Sequence, residues 1–125
     1  GWRVASDEDW KNLEKALGMS LKETDKEGWR GGNVATLMMQ KEEGTGFALQ
    51  LSGCAWQNGA YDKYIHLNSV NEYGYFWTST EDKDNELAVS TVWFRKIFAT
   101  QSTVYRGTSP LDILMRVRCC RDAQK

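Results

Sequence analysis

The segment Tyr73–Glu81, which reads YGYFWTSTE, constrains the fold of this chain more than any other stretch. Its aromatic rings are followed by three hydroxyl side chains, a composition that favours a β-strand because such groups pack well on a pleated, half-buried surface. Glycine at the second position is typical of a turn beside a strand. We therefore predict a buried central strand that leaves a turn at Gly74, with a mixed α/β module folded around it.

The size and charge of the chain limit the classes of function that it can serve. With 125 residues it can form one domain, spanning residues 1–125, around a single core. Its 16 basic and 17 acidic residues nearly balance, so no long-range field attracts nucleic acid or an acidic membrane surface. No apolar run approaches the roughly 20 residues that a membrane-spanning helix needs. We expect no nucleic-acid partner and no transmembrane segment in this chain.

Capping residues and helical spacing predict a helix near the start of the sequence. Ser6 precedes three acidic residues, which favour the positive end of a helix dipole. Trp10, Leu13 and Leu17 then follow at spacings of three and four, so one apolar stripe faces inward. Gly18 is typical of a C-terminal cap and ends the helix.

Shorter elements are predicted after this helix. Ser20 begins a capping box, from which we predict a second, short helix that ends near Gly28. The segment Trp29–Asn33 contains two adjacent glycines and is predicted to be a loop. Asn33 can then cap a third helical turn through Val34–Met39.

The middle of the chain contains strand and turn patterns. Phe47, Leu49 and Leu51 alternate with other residues, which predicts a strand with one buried face. Gly53 in the extended continuation is typical of a bulge or of a close approach between two backbones. The Asn-Gly pair within Gln57–Gly59 is a hairpin signal.

The second half of the chain is predicted to alternate strands with polar connections. Ala60–Glu72 is an irregular connection, and Leu87–Ala99 carries apolar groups on both faces, as a central strand would. Gln101–Pro110 is a polar connection, and Ile113–Asp122 is a final strand with an apolar and an arginine-bearing face. The residues predicted to face the core from this last strand are Met115, Val117 and Cys119.

The cysteines give no strong constraint. Cys54, Cys119 and Cys120 are odd in number, so at least one thiol is unpaired or bonded between chains. Neighbours on a strand point to opposite faces, so the disulfide to test joins Cys54 to Cys119 or Cys120. The absence of a Cys-x-x-Cys motif argues against a zinc site and against a thioredoxin-like dithiol. No metal site and no cofactor are predicted.

No catalytic residue is predicted either. His66 is the only histidine, and a Ser–His or Cys–His nucleophilic site would have to use it. The sequence has no Gly-x-Ser-x-Gly motif that would place a nucleophile beside it. We interpret His66 as a hydrogen-bonding residue of a surface loop.

A loop rich in tyrosine, asparagine and tryptophan is the candidate binding surface. These side chains supply flat stacking faces and adaptable hydrogen bonds, which suit the recognition of proteins and sugars. For each residue the alternative is ordinary loop packing. The candidate ligand-binding residues are Trp56, Asn58, Tyr61, Tyr64, His66, Asn68, Asn71 and Tyr73.

Four blocks, Gly1–Trp10, Gly46–Gly53, Gly74–Glu81 and Val117–Asp122, occur in the order of a known family. They read GWRVASDEDW, GFALQLSG, GYFWTSTE and VRCCRD. They resemble the blocks GW(R/H)VPTxxEW, GFxAxxxG, GxYWSSTE and VRCV(R/K)D of the Fibrobacter succinogenes major paralogous domain. The chain differs from this pattern at Ala5, Ser6 and Cys120, where the family has proline, threonine and valine.

The resemblance implies a C-type-lectin-like fold of the α+β class, with two helices packed on small, mostly antiparallel sheets and long loops that present a ligand surface. It also implies an exported or cell-surface protein, often a lipoprotein, of Bacteroidetes-type bacteria. Family members usually carry a further portion before the first block, which we expect residues 1–125 to lack. The calcium motifs of sugar-binding lectins and the paired copper-binding cysteines of formylglycine-generating enzymes have no match, so neither metal site is carried over.

We therefore expect a non-catalytic, extracytoplasmic module that binds a protein or glycan ligand at the cell surface or as a secreted protein. The predicted surface is the loop between Trp56 and Tyr73, together with the connection Gln101–Pro110. Two alternatives remain: a relative of formylglycine-generating enzymes that uses a redox cysteine, and a structural subunit of a surface assembly. Reactive thiols would favour the first, and oligomers formed through an exposed edge strand would favour the second.

Overall fold

The computed structural model describes residues 1–40, 47–56, 66–68, 70–84, 89–111 and 113–123, of which 55, 56 and 66–68 are described by their backbone. In chain order its elements are β1 (Arg3–Val4), α1 (Asp7–Ala16), α2 (Leu21–Thr24), β2 (Gly28–Arg30), α3 (Val34–Met39), β3 (Cys54–Trp56), β4 (His66–Asn68), β5 (Tyr73–Glu81), β6 (Thr91–Phe98), β7 (Val104–Pro110), β8 (Ile113–Leu114), β9 (Arg116–Val117) and β10 (Cys119–Cys120).

Within the described residues these strands form three sheets. The main sheet has the order β2-β7-β6-β5-β9, a second has the order β4-β3-β8, and β1 pairs with β10. All named strand pairs are antiparallel except β5 with β9, which run parallel. The fold is therefore of the α+β class with mostly antiparallel sheets, as the sequence predicts.

The predicted central strand is confirmed as β5, but the predicted turn at Gly74 is wrong. Gly74 lies inside the strand, opposite Ile97 of β6, and it also forms a parallel bridge with Gly53. A Cβ atom at Gly74 would lie 2.9 Å from a ring carbon of Phe76 and 3.2 Å from the backbone oxygen of Gln50. Glycine is required here because a neighbouring segment crosses close to the strand, which confirms the close approach predicted at Gly53.

This crossing makes a testable prediction for Gly74→Ala. The added methyl group forces the Phe76 ring and the backbone of Gln50 to shift, so we expect the free energy of unfolding to fall by about 1–3 kcal/mol. Gly32→Ala is the matched control, because a Cβ there meets nothing within 4 Å. Urea unfolding of both variants measures the difference, and equal stabilities would contradict the close approach.

The predicted N-terminal helices are confirmed. Ser6 accepts a hydrogen bond from the N–H of Asp9, whose carboxylate accepts one from the N–H of Ser6, so α1 begins with a capping box. Trp10 is only 2% exposed, and Gly18 adopts the left-handed φ of 110° that ends the helix. Ser20 caps α2, which is shorter than predicted and ends at Thr24.

The segment after α3 is not the strand that the alternation predicts. Leu49 is buried, with Phe47 and Leu51 packed against the core, so the predicted inward face is correct. The backbone, however, bonds to separate partners instead of one ladder: the N–H of Leu49 donates to Met38, and the carbonyl of Leu51 accepts from Asn71. These bonds hold residues 47–52 as an irregular extended segment.

Two regions predicted as loops or connections contain strands. The Gln101–Pro110 prediction is wrong because Val104–Pro110 forms β7, between β2 and β6 in the main sheet. In the same way, Gly28–Arg30 pairs with β7 as strand β2, although we predicted a helix end followed by a loop. Polar composition misled both predictions, because arginine side chains of these strands are buried on carboxylates.

The predicted strand Leu87–Ala99 is confirmed in its position but not in its length. Strand β6 lies between β5 and β7, as a central strand should, but it begins at Thr91. The residues Leu87 and Ala88 lie outside the described part of the chain.

The predicted final strand is divided into three short strands that join three different sheets. The predicted core face is wrong for Val117 and Cys119, which are exposed, whereas Met115 is half-buried. Cys120 instead packs against the core. Each change of sheet interrupts the regular alternation, so the inward side of one short strand does not continue into the next.

A buried ionic cluster joins α1 to the main sheet. Glu14 accepts two hydrogen bonds from Arg30, at 2.7 and 2.8 Å, and two from Arg95, at 3.0 and 3.3 Å. Asp7 accepts one bond from Arg95 at 2.6 Å and two from Arg106, at 2.8 and 3.1 Å. All five side chains are buried. The cluster therefore connects the helix to β2, β6 and β7 through charged groups that each have a partner.

Candidate functional site

The structure places only part of the predicted binding loop. The residues Asn58, Tyr61 and Tyr64 lie outside the described part of the chain, as does the hairpin predicted at 57–59. Trp56 and His66 face each other at the end of the antiparallel pair β3–β4. His66 is therefore a strand residue, and the prediction that Ala60–Glu72 is irregular throughout is wrong at β4.

Asn68 and Asn71 follow in the approach to the central strand. Asn68 lies opposite Cys54 in the β3–β4 pair. Asn71 has a left-handed φ of 68°, which asparagine tolerates better than most residues, and its N–H donates to the carbonyl of Leu51 at 2.8 Å. This turn holds Asn71 against the extended segment that follows α3.

Tyr73 lies on the other face of the main sheet. Its ring stacks on Phe98 with centroids 4.5 Å apart, and Lys96 Nζ lies 5.9 Å from its centroid. Along β5 the residues Gly74 and Phe76 are buried, whereas Tyr73 and Tyr75 are half-buried on the opposite side. The structure therefore separates Tyr73 from Asn71, although the two are only two positions apart in the sequence.

Lys96 is enclosed by aromatic rings on that outer face. Its Nζ lies 4.3 Å from the ring centroid of Tyr105 and 5.5 Å from that of Trp29. Burial lowers the pKa of Lys96. The strand pairing places Trp29, Tyr105, Lys96 and Tyr75 side by side across four adjacent strands. On this outer face the side chains therefore contact one another within the chain.

A concave surface in the described part of the chain lies beside Asn71. Two adjoining cavities, of about 530 and 270 Å³, share the lining residues Gln50, Ser52 and Arg116, and we call them together the Arg116 groove. The other residues that line the larger cavity are Met39, Leu49, Leu51, Val70 and Asn71. Those of the smaller cavity are Ala48, Phe76, Val117 and Arg118.

The extended segment 47–52 forms one wall of the Arg116 groove because of its alternation. Its odd-numbered residues turn into the core, and the remaining ones, Ala48, Gln50 and Ser52, line the smaller cavity. Ala48 has a left-handed φ of 46°, where the chain departs from a regular strand. Gln50 is exposed, and it makes no hydrogen bond to other described residues. The groove thus has an amide and a hydroxyl group directed at an open space.

The described lining of the Arg116 groove carries two positive charges, those of Arg116 and Arg118. Arg118 stacks on the ring of Phe47, 4.0 Å from its centroid, and donates two bonds of 3.3 Å to its carbonyl oxygen. Arg116 is exposed, and its guanidinium has no carboxylate or carbonyl partner among the described residues. The described lining of both cavities contains no acidic residue. Arg116 is therefore available to an external acceptor.

The three thiols are free. Cys54, Cys119 and Cys120 form no disulfide in the structure, so the bond to be tested between Cys54 and the C-terminal pair is not present. Burial raises the pKa of Cys54. Burial, followed by the neighbouring carboxylate of Asp9, raises the pKa of Cys120, whose thiol donates to Asp9 Oδ2 at 3.4 Å.

Two kinds of feature are absent from the described ranges. No group of three or more histidine, cysteine, aspartate or glutamate side chains is arranged to hold a metal ion there. No helix in the same ranges has the length and apolar character needed to cross a membrane.

Sequence reasoning missed most of the Arg116 groove. Of the predicted binding residues whose side chains the structure describes, Asn71 lines the groove and Tyr73 does not. A signal for the others was present in the alternation of Phe47–Leu51, which turns Gln50 outward, and in the arginines of the last strand. Sequence alone could not show that these two distant segments lie side by side.

The family comparison agrees with the resemblance of the four sequence blocks. The model of the Fibrobacter succinogenes major domain matches residues 1–121, which is nearly the whole chain. No curated protein and no solved structure matches it. This match over 121 residues, together with the confirmed α+β class, shows that the chain belongs to the Fibrobacter succinogenes major domain family.

Proposed function

We propose that this chain is a non-catalytic ligand-binding module that acts outside the cytoplasm, at the cell surface or in a secreted protein, and recognises a protein or glycan partner in the Arg116 groove. The observation that carries the proposal is the groove itself, where Arg116 and Gln50 have polar groups without partners among the described residues. Val70 and Met39 provide apolar surface beside them. Ligand sites combine these features, a concave apolar surface with a few directed polar groups.

The architecture supports a C-type-lectin-like fold as part of this proposal. Helices α1 and α2 accompany small, mostly antiparallel sheets, and an extended irregular segment forms the wall of the groove. Strand β1 pairs with β10, so the two ends of the matched region lie side by side. The extracytoplasmic and lipoprotein character rests on the family resemblance.

Two of the three thiols, Cys54 and Cys120, weigh against the enzyme alternative. A redox-active cysteine needs a lowered pKa, since the thiolate is the reactive form. The pKa is raised at Cys54 and at Cys120, in both cases mainly by burial. These two thiols are therefore protonated near neutral pH, which does not suit the chemistry of formylglycine-generating enzymes.

The proposal predicts that filling the groove removes binding. Gln50 lines both cavities, so Gln50→Trp places an indole in the shared space. The two proteins are compared on arrays of bacterial and host glycans and of cell-surface proteins. We expect the signals of Gln50→Trp to be about tenfold or more below those of the wild-type protein, the equivalent of about 1.4 kcal/mol of binding free energy.

The control for this experiment is Lys22→Trp, which adds the same ring at an exposed position of α2. This variant should keep the array signals of the wild-type protein. A wild-type protein that binds no glycan and no protein would overturn the proposal, as would equal signals from Gln50→Trp and Lys22→Trp.

A further inference from the structure

We infer that the Arg116 groove recognises a carboxylate that lies next to an aliphatic side chain in a peptide. This inference rests on the proposed function and names the class of partner. It is drawn from the charge of the described lining, from the nature of the apolar groups and from the free state of one guanidinium.

The charge of the groove selects an anionic ligand. Arg116 and Arg118 are the charged residues in the described lining, and both are basic. Arg118 is already held by the ring and the carbonyl oxygen of Phe47. Arg116 lines both cavities and has no acceptor among the described residues, so it is the group that a ligand anion would meet.

The shape of the guanidinium favours a carboxylate among anions of similar charge. A planar fork of N–H donors matches the two oxygens of a carboxylate, and such charge-assisted pairs are stronger than neutral hydrogen bonds. Gln50 and Asn71 add amide groups at the same cavity, and amides bond well to the backbone of a peptide.

The apolar part of the groove favours a peptide over a sugar. The larger cavity is lined by the aliphatic or thioether side chains Met39, Leu49, Leu51 and Val70, and its described lining contains no aromatic ring. The aromatic residue of the smaller cavity, Phe76, is only 3% exposed. Sugar rings are commonly held on aromatic faces, whereas aliphatic surface suits an aliphatic side chain. A cavity of about 530 Å³ has room for one such side chain together with its neighbouring carboxylate.

Fluorescence anisotropy with labelled peptide pools tests this inference. One pool contains Leu-Asp between randomised residues with both ends blocked, and its control pool contains Leu-Asn. A third pool ends in leucine with a free terminal carboxylate, and its control ends in leucine amide. We expect at least one acidic pool to bind about tenfold more tightly than its amide control. The pool that binds identifies whether a side chain or the chain terminus supplies the carboxylate.

Two variants each remove one positive charge, one inside the groove and one outside it. Arg116→Met should weaken binding of the acidic pool about tenfold, and Arg116→Lys should restore part of it, because lysine keeps the charge but not the fork. Arg121→Met is the control, since Arg121 is exposed and lies over the ring of Trp2, 4.9 Å from its centroid, outside the described groove lining. Binding through an exposed ion pair should also weaken as salt is added.

The outcomes separate this inference from the proposed function. Equal binding of the acidic and amide pools, or unchanged binding in Arg116→Met, overturns the carboxylate inference. If the arrays show a neutral ligand that Gln50→Trp loses and Arg116→Met keeps, the groove is a binding site and the inference about its ligand is wrong. If neither the arrays nor the peptide pools show binding to the wild-type protein, both are wrong.

Discussion

Replacing Glu14 with glutamine should lower the free energy of unfolding by about 3–5 kcal/mol. The carboxylate is 0% exposed and accepts four hydrogen bonds from Arg30 and Arg95, between 2.7 and 3.3 Å. Glutamine keeps the volume of the side chain but removes the charge and one acceptor oxygen. The buried guanidinium of Arg30 then loses the anion that neutralises it, and that of Arg95 keeps only Asp7. Domains are stable by only about 5–15 kcal/mol, so urea unfolding should show a large shift of the midpoint.

Glu8→Gln provides the matched control for this experiment. Glu8 lies on the same helix and is exposed. The same chemical change there should lower the free energy of unfolding by only about 0.3–1 kcal/mol, the contribution of a charge to the helix dipole. If Glu14→Gln costs no more than Glu8→Gln, the buried bonds of Glu14 do not outweigh the cost of burying its charge.

Acid should weaken the fold through Asp7 between about pH 4 and pH 2. Burial alone would raise the pKa of Asp7, but hydrogen bonds and positive charge from Arg106 and Arg95 outweigh it and lower the pKa from 3.8 to about 2. In the unfolded chain the pKa returns to its ordinary value. The folded state therefore holds fewer protons in this window, and stability falls as the pH falls. A shift of this size corresponds to about 2 kcal/mol.

Asp7→Asn isolates this contribution from other carboxylates. The pKa of Asp9 is lowered mainly by its hydrogen bond from Ser6, and that of Asp25 mainly by its hydrogen bond from Lys11, so the wild-type protein has further acid-sensitive groups. The stability difference between wild type and Asp7→Asn should be large at pH 6 and should shrink by about 2 kcal/mol toward pH 2. A difference that does not change with pH would show that Asp7 has an ordinary pKa in the folded protein.

The ionic cluster and the Arg116 groove share no residue, which has a consequence for function. The cluster joins α1 to β2, β6 and β7, whereas the described groove is lined from the extended segment 47–52, α3, β5 and the C-terminal strands. Substitutions in the groove should therefore alter binding with little effect on stability, as surface changes usually do. This separation suits a module whose frame stays constant while its ligand surface varies.

Some elements were predictable because the forces that form them act over a few residues. Ser6 caps α1 through the N–H of Asp9, three positions away. The aromatic and hydroxyl composition of Tyr73–Glu81 predicted β5 with the bounds that the structure shows. The inward faces of Phe47 and Leu49 also followed from alternation, although the segment is not a strand.

Other features could not be predicted because they depend on segments that are distant in the sequence. Asp7 was explained by the helix dipole alone, yet its main partners, Arg95 and Arg106, lie 88 and 99 positions away. Arg106 is one of the polar residues that made Gln101–Pro110 resemble a connection and not a strand. Cys120 replaces Cys119 on the core side because the last strand is divided among three sheets. In each case the deciding neighbour belongs to another part of the chain.

The sequence by itself determined the helix starts, the central strand and the membership of the family, since capping, side-chain shape and short motifs are local properties. Only the tertiary structure decided which charges are buried and which polar groups remain open to a ligand. Arg95 and Arg116 have the same side chain, but one is enclosed by Glu14 and Asp7 and the other faces an open groove. The physical reason is that burial of a charge depends on the partner that the folded chain brings to it.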